Sequence, residues 1–331
     1  MYEVAASPDR VTSSDVARAA GVSRTTVSYV FNGRGAIPDE TRTRVRAVAD
    51  GLGYRPSGIA RALRTGTTDL VVLVLPAWSP SDVLGRLIRR MSMRLEALGL
   101  PMVVTQVEPE SVGLWAAMTP LAILSPFPLS ENAAAQVMAS GARHLIMSGT
   151  GAQGAAPSVA DYGLAHGRLQ MSHLVAMGHT RCGYAMPEDP VLQQWFGASR
   201  VEGAGAVCAD HGLPSPIEDI VSLDADQARN AVRRWLDAGV TAVAAYNDDI
   251  ALAVIGAAHR LGVQVPGELA VIGMDNTPIS GVTAPTLTTV EIRPELIADD
   301  NVNRLLAALG RDVPASVDAI SQARVIVRGS A

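Results

Sequence analysis

From Asp69 onward the chain alternates apolar runs of strand length with stretches of helical spacing, and no other feature limits its fold so narrowly. LVVLVLP, a helical stretch from about Ser81 to Leu98, PMVVTQV, LAILSP, a helix from about Ser130 to Ser140 and HLIMS make a first series. Gly167 to Met177, CGYAM, Arg200 to His211, IVSL, Ala225 to Ala238, AVAAYN, Asp249 to Leu261 and LAVIGMD make a second. Such alternation of strand and helix brings successive strands together in parallel, with helices on both faces of the sheet. The length of the run predicts two of these doubly wound parallel sheets, an α/β architecture. With 48% apolar residues in 331, the chain can fill both cores.

The first 66 residues follow a different pattern. In VTSSDVARAAGVSRTTVSYVFN, Val11 to Asn32, Thr12 and Asp15 fit a capping box that starts a helix near Ser13. Val16, Ala17 and Ala20 give that helix an apolar stripe, and Gly21 ends it where a left-handed residue is needed. Ser23 caps a second helix, Arg24 to Phe31, whose Val27, Val30 and Phe31 face inward, and Asn32-Gly33 ends it. Arg24, Thr25, Thr26, Ser28 and Tyr29 are left facing outward, a set able to reach phosphates and base edges. A third helix, Asp39 to Leu52, closes a small core with Val45, Val48, Ala49 and Leu52. Periodicity alone also fits a plain helical hairpin with a solvated face. Pro56 to Arg64 has helical spacing through Ile59, Ala60 and Leu63, but it is short and contains Gly58. Gly costs a helix about 1 kcal/mol relative to Ala, so this segment either finds a partner or serves as a linker.

Charge divides along the same line. Residues 1–66 carry ten Arg and six acids, whereas the remainder carries 17 Arg and 26 acids, and the sequence has no Lys. A basic head on an acidic body directs nucleic-acid contact to the head. The only cysteines, Cys182 and Cys208, fall in a predicted strand and a predicted helix without ligand-spaced partners, which marks them as buried thiols rather than a metal or redox site. The N-terminus has no apolar signal segment, and the longest apolar run, Leu70 to Leu75, is far shorter than the roughly 20 residues a membrane helix needs. A cytoplasmic protein is expected. Gly149 to Gly154 spells the dinucleotide pattern GxGxxG, but Pro157 interrupts the next segment and no acid follows between Gly167 and Val175. No nucleophile elbow, P-loop or metal cluster is present, so neither catalysis nor a cofactor is expected.

DVARAAGVSRTTVSYVFNGRG followed by IPDETRTRVRAVADGLGYRPSGIARALRTG closely resembles the DNA-binding head of the LacI/GalR family of transcription regulators, continuously from about Val11 to Thr67. SHLVAMGHTRCGYA, YNDDIALAVIGAAHRLGVQVPGELAVIGMDN and APTLTTVEI resemble the family's effector domain, which shares its fold with periplasmic sugar-binding proteins. The resemblance implies a three-helix helix-turn-helix head over 10–55, a hinge helix over 56–66 and an effector-binding and dimerisation domain over 67–331. Within the last, a first subdomain takes about 67–158 and 294–312, and a second takes about 160–290 and 315–329. Glu108 to Leu121 is shorter than usual in the family.

The implied function is that of a homodimeric regulator, commonly a repressor, that binds near-palindromic operator DNA under control of a sugar or related metabolite. Arg24 is placed for guanine, Thr25 and Thr26 for base or methyl contact, and Ser28 and Asn32 for phosphate or turn stabilisation, with Tyr29 where relatives can carry a base-reading Arg. Leu63 matches the residue that enters the minor groove, Ala60 the small residue between paired hinge helices, and Arg61 and Arg64 supply phosphate contacts. Effector contact is implied for Arg200 in ASRVEG, for Asn247 of the Asn247-Asp248 pair and for Asp275, where Met274 replaces the usual aromatic. Asp161, placed after a predicted strand end where doubly wound sheets bind ligands, joins Trp78 and Ser125 to complete the expected site, with Ser79, Pro80 and Phe127 nearby. Trp78 suits packing as well as stacking on a ligand. Ile292 stands at a crossover that can be polar in relatives, which favours a less polar ligand than a simple sugar. A solute-binding protein and a nicotinamide-dependent oxidoreductase are the competing readings. Inducer and corepressor responses are both open. Tyr29→Arg is expected to change the preferred base at one symmetric operator position, by about 1–3 kcal/mol of discrimination; an unchanged preference in selection from random duplexes would remove Tyr29 from the reading set.

Overall fold

The computed structural model describes residues 11–32, 35–54, 68–76, 81–107, 119–127, 129–139, 141–147 and 157–331. The expected hinge with Ala60, Leu63 and Arg64, the Trp78 segment and the 149–154 glycine run lie outside the described residues. The chain divides into two units, Met1–Asp69 and Leu70–Ala331.

The first unit is built from local signals. Helix α1, Ser13–Ala20, begins where the Asp15 carboxylate accepts hydrogen bonds from the Thr12 amide (3.0 Å) and hydroxyl (2.7 Å). It ends at Gly21, whose φ of 65° is free of cost only for glycine. Helix α2, Arg24–Asn32, starts with the Thr26 amide donating to Ser23 Oγ at 3.0 Å. Helix α3, Asp39–Gly51, completes a core of Val16, Val27, Val30, Val45 and Ala49. Leu52, expected inside, is 40% exposed. Gly53 turns the chain in the left-handed region, and Tyr54 folds back to take that place, its amide donating to Ala49 and its ring packing edge-on to Phe31.

The second unit contains two sheets. Strands β1 (Val71–Pro76), β2 (Met102–Val107), β3 (Ala122–Ser125) and β4 (His144–Met147) form a parallel sheet in the order β2-β1-β3-β4, with helix α4 (Asp82–Ala97) after β1 and α5 (Glu131–Ala139) after β3. Helix α6 (Val159–Ala176) then leads to β5 (Cys182–Pro187), and a helical turn at Pro190–Leu192 passes through a π-helical turn at Gln193–Gly197 into α7 (Ala198–Asp210). After β6 (Ile217–Val221) come α8 (Ala225–Asp237), β7 (Ala242–Ala245), α9 (Asp248–Arg260), β8 (Ala270–Met274) and β9 (Thr288–Glu291). The second sheet runs β10-β9-β8-β7-β5-β6 and is parallel except for β10 (Arg324–Ile326), which pairs antiparallel with β9. Helix α10 (Pro294–Ala308) returns to the first sheet, where Ala298, Val302 and Leu305 share a core with Leu73, Met91 and Leu124. Arg86 and Arg90 of α4 fork onto Glu295 and Asp299 of α10, with nitrogen–oxygen distances of 2.8 to 3.2 Å. Among the described residues no helix is long and apolar enough to cross a membrane.

Helix α6 starts eight residues before the Gly167 that periodicity selects. Ser158 and Asp161 form a second reciprocal cap, with the Ser158 amide and hydroxyl each 2.7 Å from the Asp161 carboxylate. Gly163 and Gly167, poor helix formers, are retained in this helix by its packing. A Cβ at Gly167 would overlap the Arg200 carbonyl, one at Gly163 the Ser199 side chain, and one at Gly203 of α7 the Leu164 carbonyl. These glycines let two helix backbones touch, and that contact outweighs propensity. Gly167→Ala is therefore expected to destabilise the protein by about 1–3 kcal/mol in denaturant unfolding, the cost of an overpacked core. A gain in stability would show that the crossing relaxes without strain.

Candidate DNA-binding head and ligand cavity

In the head, the sequence of α2 separates two faces. Val27 and Val30 are buried, while Arg24, Thr25, Ser28 and Tyr29 are exposed on the opposite side. Arg24 makes no hydrogen bond or ion pair with a described residue, so its planar donors are available to a phosphate or a guanine edge. Thr26 is drawn into the cap instead: its hydroxyl lies 2.9 Å from Ser23 Oγ and it is only half exposed. The Tyr29 ring lies over the backbone of Gly35, where a Cβ would come within 2.8 Å of the ring. Asn32 is the last residue of α2, and its side chain lies outside the described residues.

The second unit holds a cavity of about 670 Å³. It opens where strand order reverses in the second sheet, between β5 and β7, and at the end of β3 in the first. Ligands of doubly wound sheets bind at such switch points because neighbouring loops diverge there. Arg200 of α7 is 6% exposed; one of its guanidinium nitrogens donates to the Tyr246 carbonyl, its plane covers the Tyr246 ring at 4.4 Å, and Phe196 lies 5.5 Å away. Its Nε is buried without a hydrogen-bond partner among the described residues. Asn247 caps α9 through an Oδ1 that accepts from the Ile250 amide at 2.9 Å, and its side-chain nitrogen has no described partner.

Asp275 follows β8 with a φ of 105°, and Asn276 has a φ of 50°. Two unfavourable backbone conformations in succession need outside support. Asp248, fully buried, accepts from the Thr277 amide (2.7 Å), the Thr277 hydroxyl (2.9 Å) and the Thr289 hydroxyl (2.5 Å), while Arg328 and Glu291 hold the Asn276 side chain. The Asp275 carboxyl is thereby held at the cavity wall with no hydrogen bond from a described residue. Burial pushes its pKa up to about 8, against the opposing charge of Arg200 and with help from Asp248 and Asp249.

Several expected contacts fall elsewhere. Asp161 does not line the cavity; it is exposed, and both its backbone and carboxylate are engaged in capping α6. Ser125 is buried behind the wall, donating to the Phe127 carbonyl at 2.7 Å, so it shapes the loop that presents Phe127. Asp248 is the anchor just described rather than a lining group. Ile292 does line the cavity, as do Tyr162 and His166 of α6, Tyr246 and Asp249. Tyr246 could have been found from its position at the end of β7. For Tyr162 and His166 the only local signal is the Ser158–Asp161 cap, because the glycine-bearing turns of α6 carry a weak helical pattern. Among the described residues no group of three or more His, Cys, Asp or Glu is placed to hold a metal ion.

Comparison with known proteins identifies this assembly. The profile of bacterial regulatory proteins of the lacI family matches residues 12–57, and that of the periplasmic binding protein-like domain matches residues 171–331. The HTH-type transcriptional regulator DegA of Bacillus subtilis is 30% identical over 302 residues, covering 85% of this chain and 86% of DegA. The chain belongs to the LacI family. It is accordingly a helix-turn-helix transcription regulator with a ligand-binding domain, and not an enzyme. The fold of this LacI-family chain is that of the lac repressor dimer bound to operator and an anti-inducer, with a TM-score of 0.73 at 23% identity over 97% of this chain and 99% of the repressor. A complex of the regulator CelR with cellobiose aligns with a TM-score of 0.63 at 25% identity, over 97% of this chain and all of CelR.

The buried carboxyl of Asp275 gives the regulator a pH signature. Its folded pKa lies above the ordinary value near 4, so the folded state keeps a proton that the unfolded chain releases. This contribution is complete in acid and falls as pH rises toward 8, by up to about 1.4 kcal/mol per pH unit. Asp275→Asn is expected to flatten the decline in denaturant-measured stability between pH 5 and 8. Parallel wild-type and variant curves would place the Asp275 carboxyl at an ordinary pKa.

Proposed function

We propose that this LacI-family regulator is a cytoplasmic homodimer that represses transcription from a near-palindromic operator and is controlled by a small-molecule effector held in the 670 Å³ cavity. The observation that carries the reading is the convergence of Arg200 and Asp275. Two buried ionisable side chains face one enclosed space, the Arg200 guanidinium with its Nε, and Asp275 with its carboxyl, without a hydrogen bond from a described residue. Burial without partners is costly, and a ligand that supplies them recovers that free energy. The operator-bound repressor and the CelR–cellobiose complex among its structural neighbours support both halves of the assignment.

In this reading Arg24, Thr25, Ser28 and Tyr29 of α2 meet the major groove, and Thr26 acts through the helix cap. Ala60, Leu63 and Arg64 act at the minor groove on the strength of the family resemblance. Effector binding changes the angle between the two sheets of the second unit, and operator affinity changes with it. The coupling is reciprocal, so operator must alter effector affinity by the same factor.

Selection from random duplex DNA at defined salt tests the operator half. A palindrome of roughly two helical turns is expected, and the absence of any enriched site in the presence and absence of candidate effectors would overturn it. Arg200→Ala tests the other half. Operator affinity without effector is expected to stay within about threefold of wild type, while the effector response is lost; a full response at wild-type effector concentrations would move the site away from the cavity.

A further inference from the structure

The glycine-lined crossing of α6 and α7 has a second product besides tight packing. It brings His166, on α6, to the end of the cavity occupied by Arg200. His166 is 4% exposed, lines the cavity, and forms no hydrogen bond with a described residue; its ring contact is with Tyr162, one turn earlier, at 6.1 Å. Burial, reinforced by the Arg200 charge, holds its pKa down to about 3. A neutral imidazole offers one donor and one acceptor. Asp275, when it keeps its proton, offers the same pair of functions.

The cavity is chemically two-sided. Its charged lining groups, Glu188, Asp189, Arg200, Asp249 and Asp275, all come from the second-sheet subdomain among the described residues. The first-sheet side presents Ser81 and the apolar Val83, Leu84, Leu87, Phe127 and Ile297, while on the other side apolar groups such as Phe196, Ile250 and Ile292 adjoin the charged ones. Three acidic groups besides Asp275, namely Glu188, Asp189 and Asp249, against one guanidinium make the polar end unfavourable for a phosphate or carboxylate. The guanidinium is moreover already engaged with the Tyr246 carbonyl and stacked on its ring.

We propose that the effector is an uncharged amphipathic molecule, with a hydroxyl-bearing head and an aromatic or branched aliphatic body, and that His166 is a further residue binding its head beside Arg200 and Asp275. The inference rests on the cavity being the effector site. Hydroxyls both donate and accept, so they match a neutral imidazole and a protonated carboxyl, whereas an anion accepts only. The body lies against the Phe127 and Leu87 side, where each buried apolar group adds affinity.

Calorimetric titration of the full-length protein with glucose, galactose and mannose, their phenyl glycosides and their 6-phosphates tests the class. At least one phenyl glycoside is expected to bind about tenfold or more tightly than its parent sugar, with no binding of the phosphates. Equal or tighter binding of a parent sugar or a phosphate, or no binding by any phenyl glycoside, overturns the proposed class. These titrations use the wild-type chain and so do not depend on a variant folding. With the phenyl glycoside that binds, His166→Leu is expected to weaken affinity about tenfold and His166→Gln to restore most of it. Wild-type affinity in a folded His166→Leu protein removes His166 from the site, as does failure of His166→Gln to bind better than His166→Leu. Should His166→Leu not fold, His166→Gln decides the point by binding within about threefold of wild type or by losing affinity. Arg200→Ala separates the two levels: if it still binds the glycoside at wild-type affinity, the cavity reading itself fails, whereas loss there with no effect at His166 sinks only the present inference.

Discussion

A carboxylate with almost no access to water organises the ligand-facing end of the second sheet. Asp248 must have its oxygens answered inside the protein, and it draws its three hydrogen bonds from Thr277 and Thr289. One residue at the start of α9 therefore ties together the segments that follow β7, β8 and the entry to β9. The loop between β8 and β9 can then sustain left-handed backbone at Asp275 and Asn276. Loss of the Asp248 contacts would free that loop, and with it the carboxyl at the cavity wall. The residue that shapes the site most strongly does not itself face the ligand space.

The chemistry of the cavity follows from two kinds of incomplete satisfaction. Arg200 is stacked and hydrogen-bonded on one side and unanswered on another, and His166 and Asp275 have polar atoms with no described partner. Their neighbours are chiefly apolar. Such an arrangement is a poor way to stabilise an empty domain, because unpaired buried polar groups cost free energy. It is a good way to make the free energy of a domain depend on a ligand, which is what a regulator of this family requires.

What could be seen in the sequence was what is determined locally. The head's helices begin and end at Thr12, Asp15, Gly21 and Ser23, whose effects act within a turn, and the structure places them there. Strand and helix alternation was equally visible because apolar periodicity is a local property. Arg200, Asn247 and Asp275 line the cavity, and each belongs to a motif or a strand end that the sequence displays. Asp161 was drawn toward the site by its position after a strand, but a carboxylate three residues beyond a serine has a competing use as a helix cap. His166 and Tyr162 were missed because apolar periodicity fades across Gly163 and Gly167, where the helix is held by a tertiary contact, although the Ser158–Asp161 cap marks where it starts. Tyr54 in place of Leu52 is a smaller case of the same kind, settled by a turn after the helix rather than by the helix itself.

The pairing of α4 with α10 bears on how the chain comes into being. Arg86 and Arg90 belong to the first helix of the second unit, and their partners Glu295 and Asp299 lie near the end of the chain. As the ribosome delivers the protein from its N-terminus, the first sheet emerges without the helix that covers Leu73 and Met91. It must wait, with part of its apolar face open, while the whole of β5 to β9 is made. Contacts so distant in sequence form late and slowly. The second sheet and its helices can consolidate in the meantime, with only β10 outstanding, so the half of the cavity that carries the charged groups can be assembled before the half that carries the apolar wall.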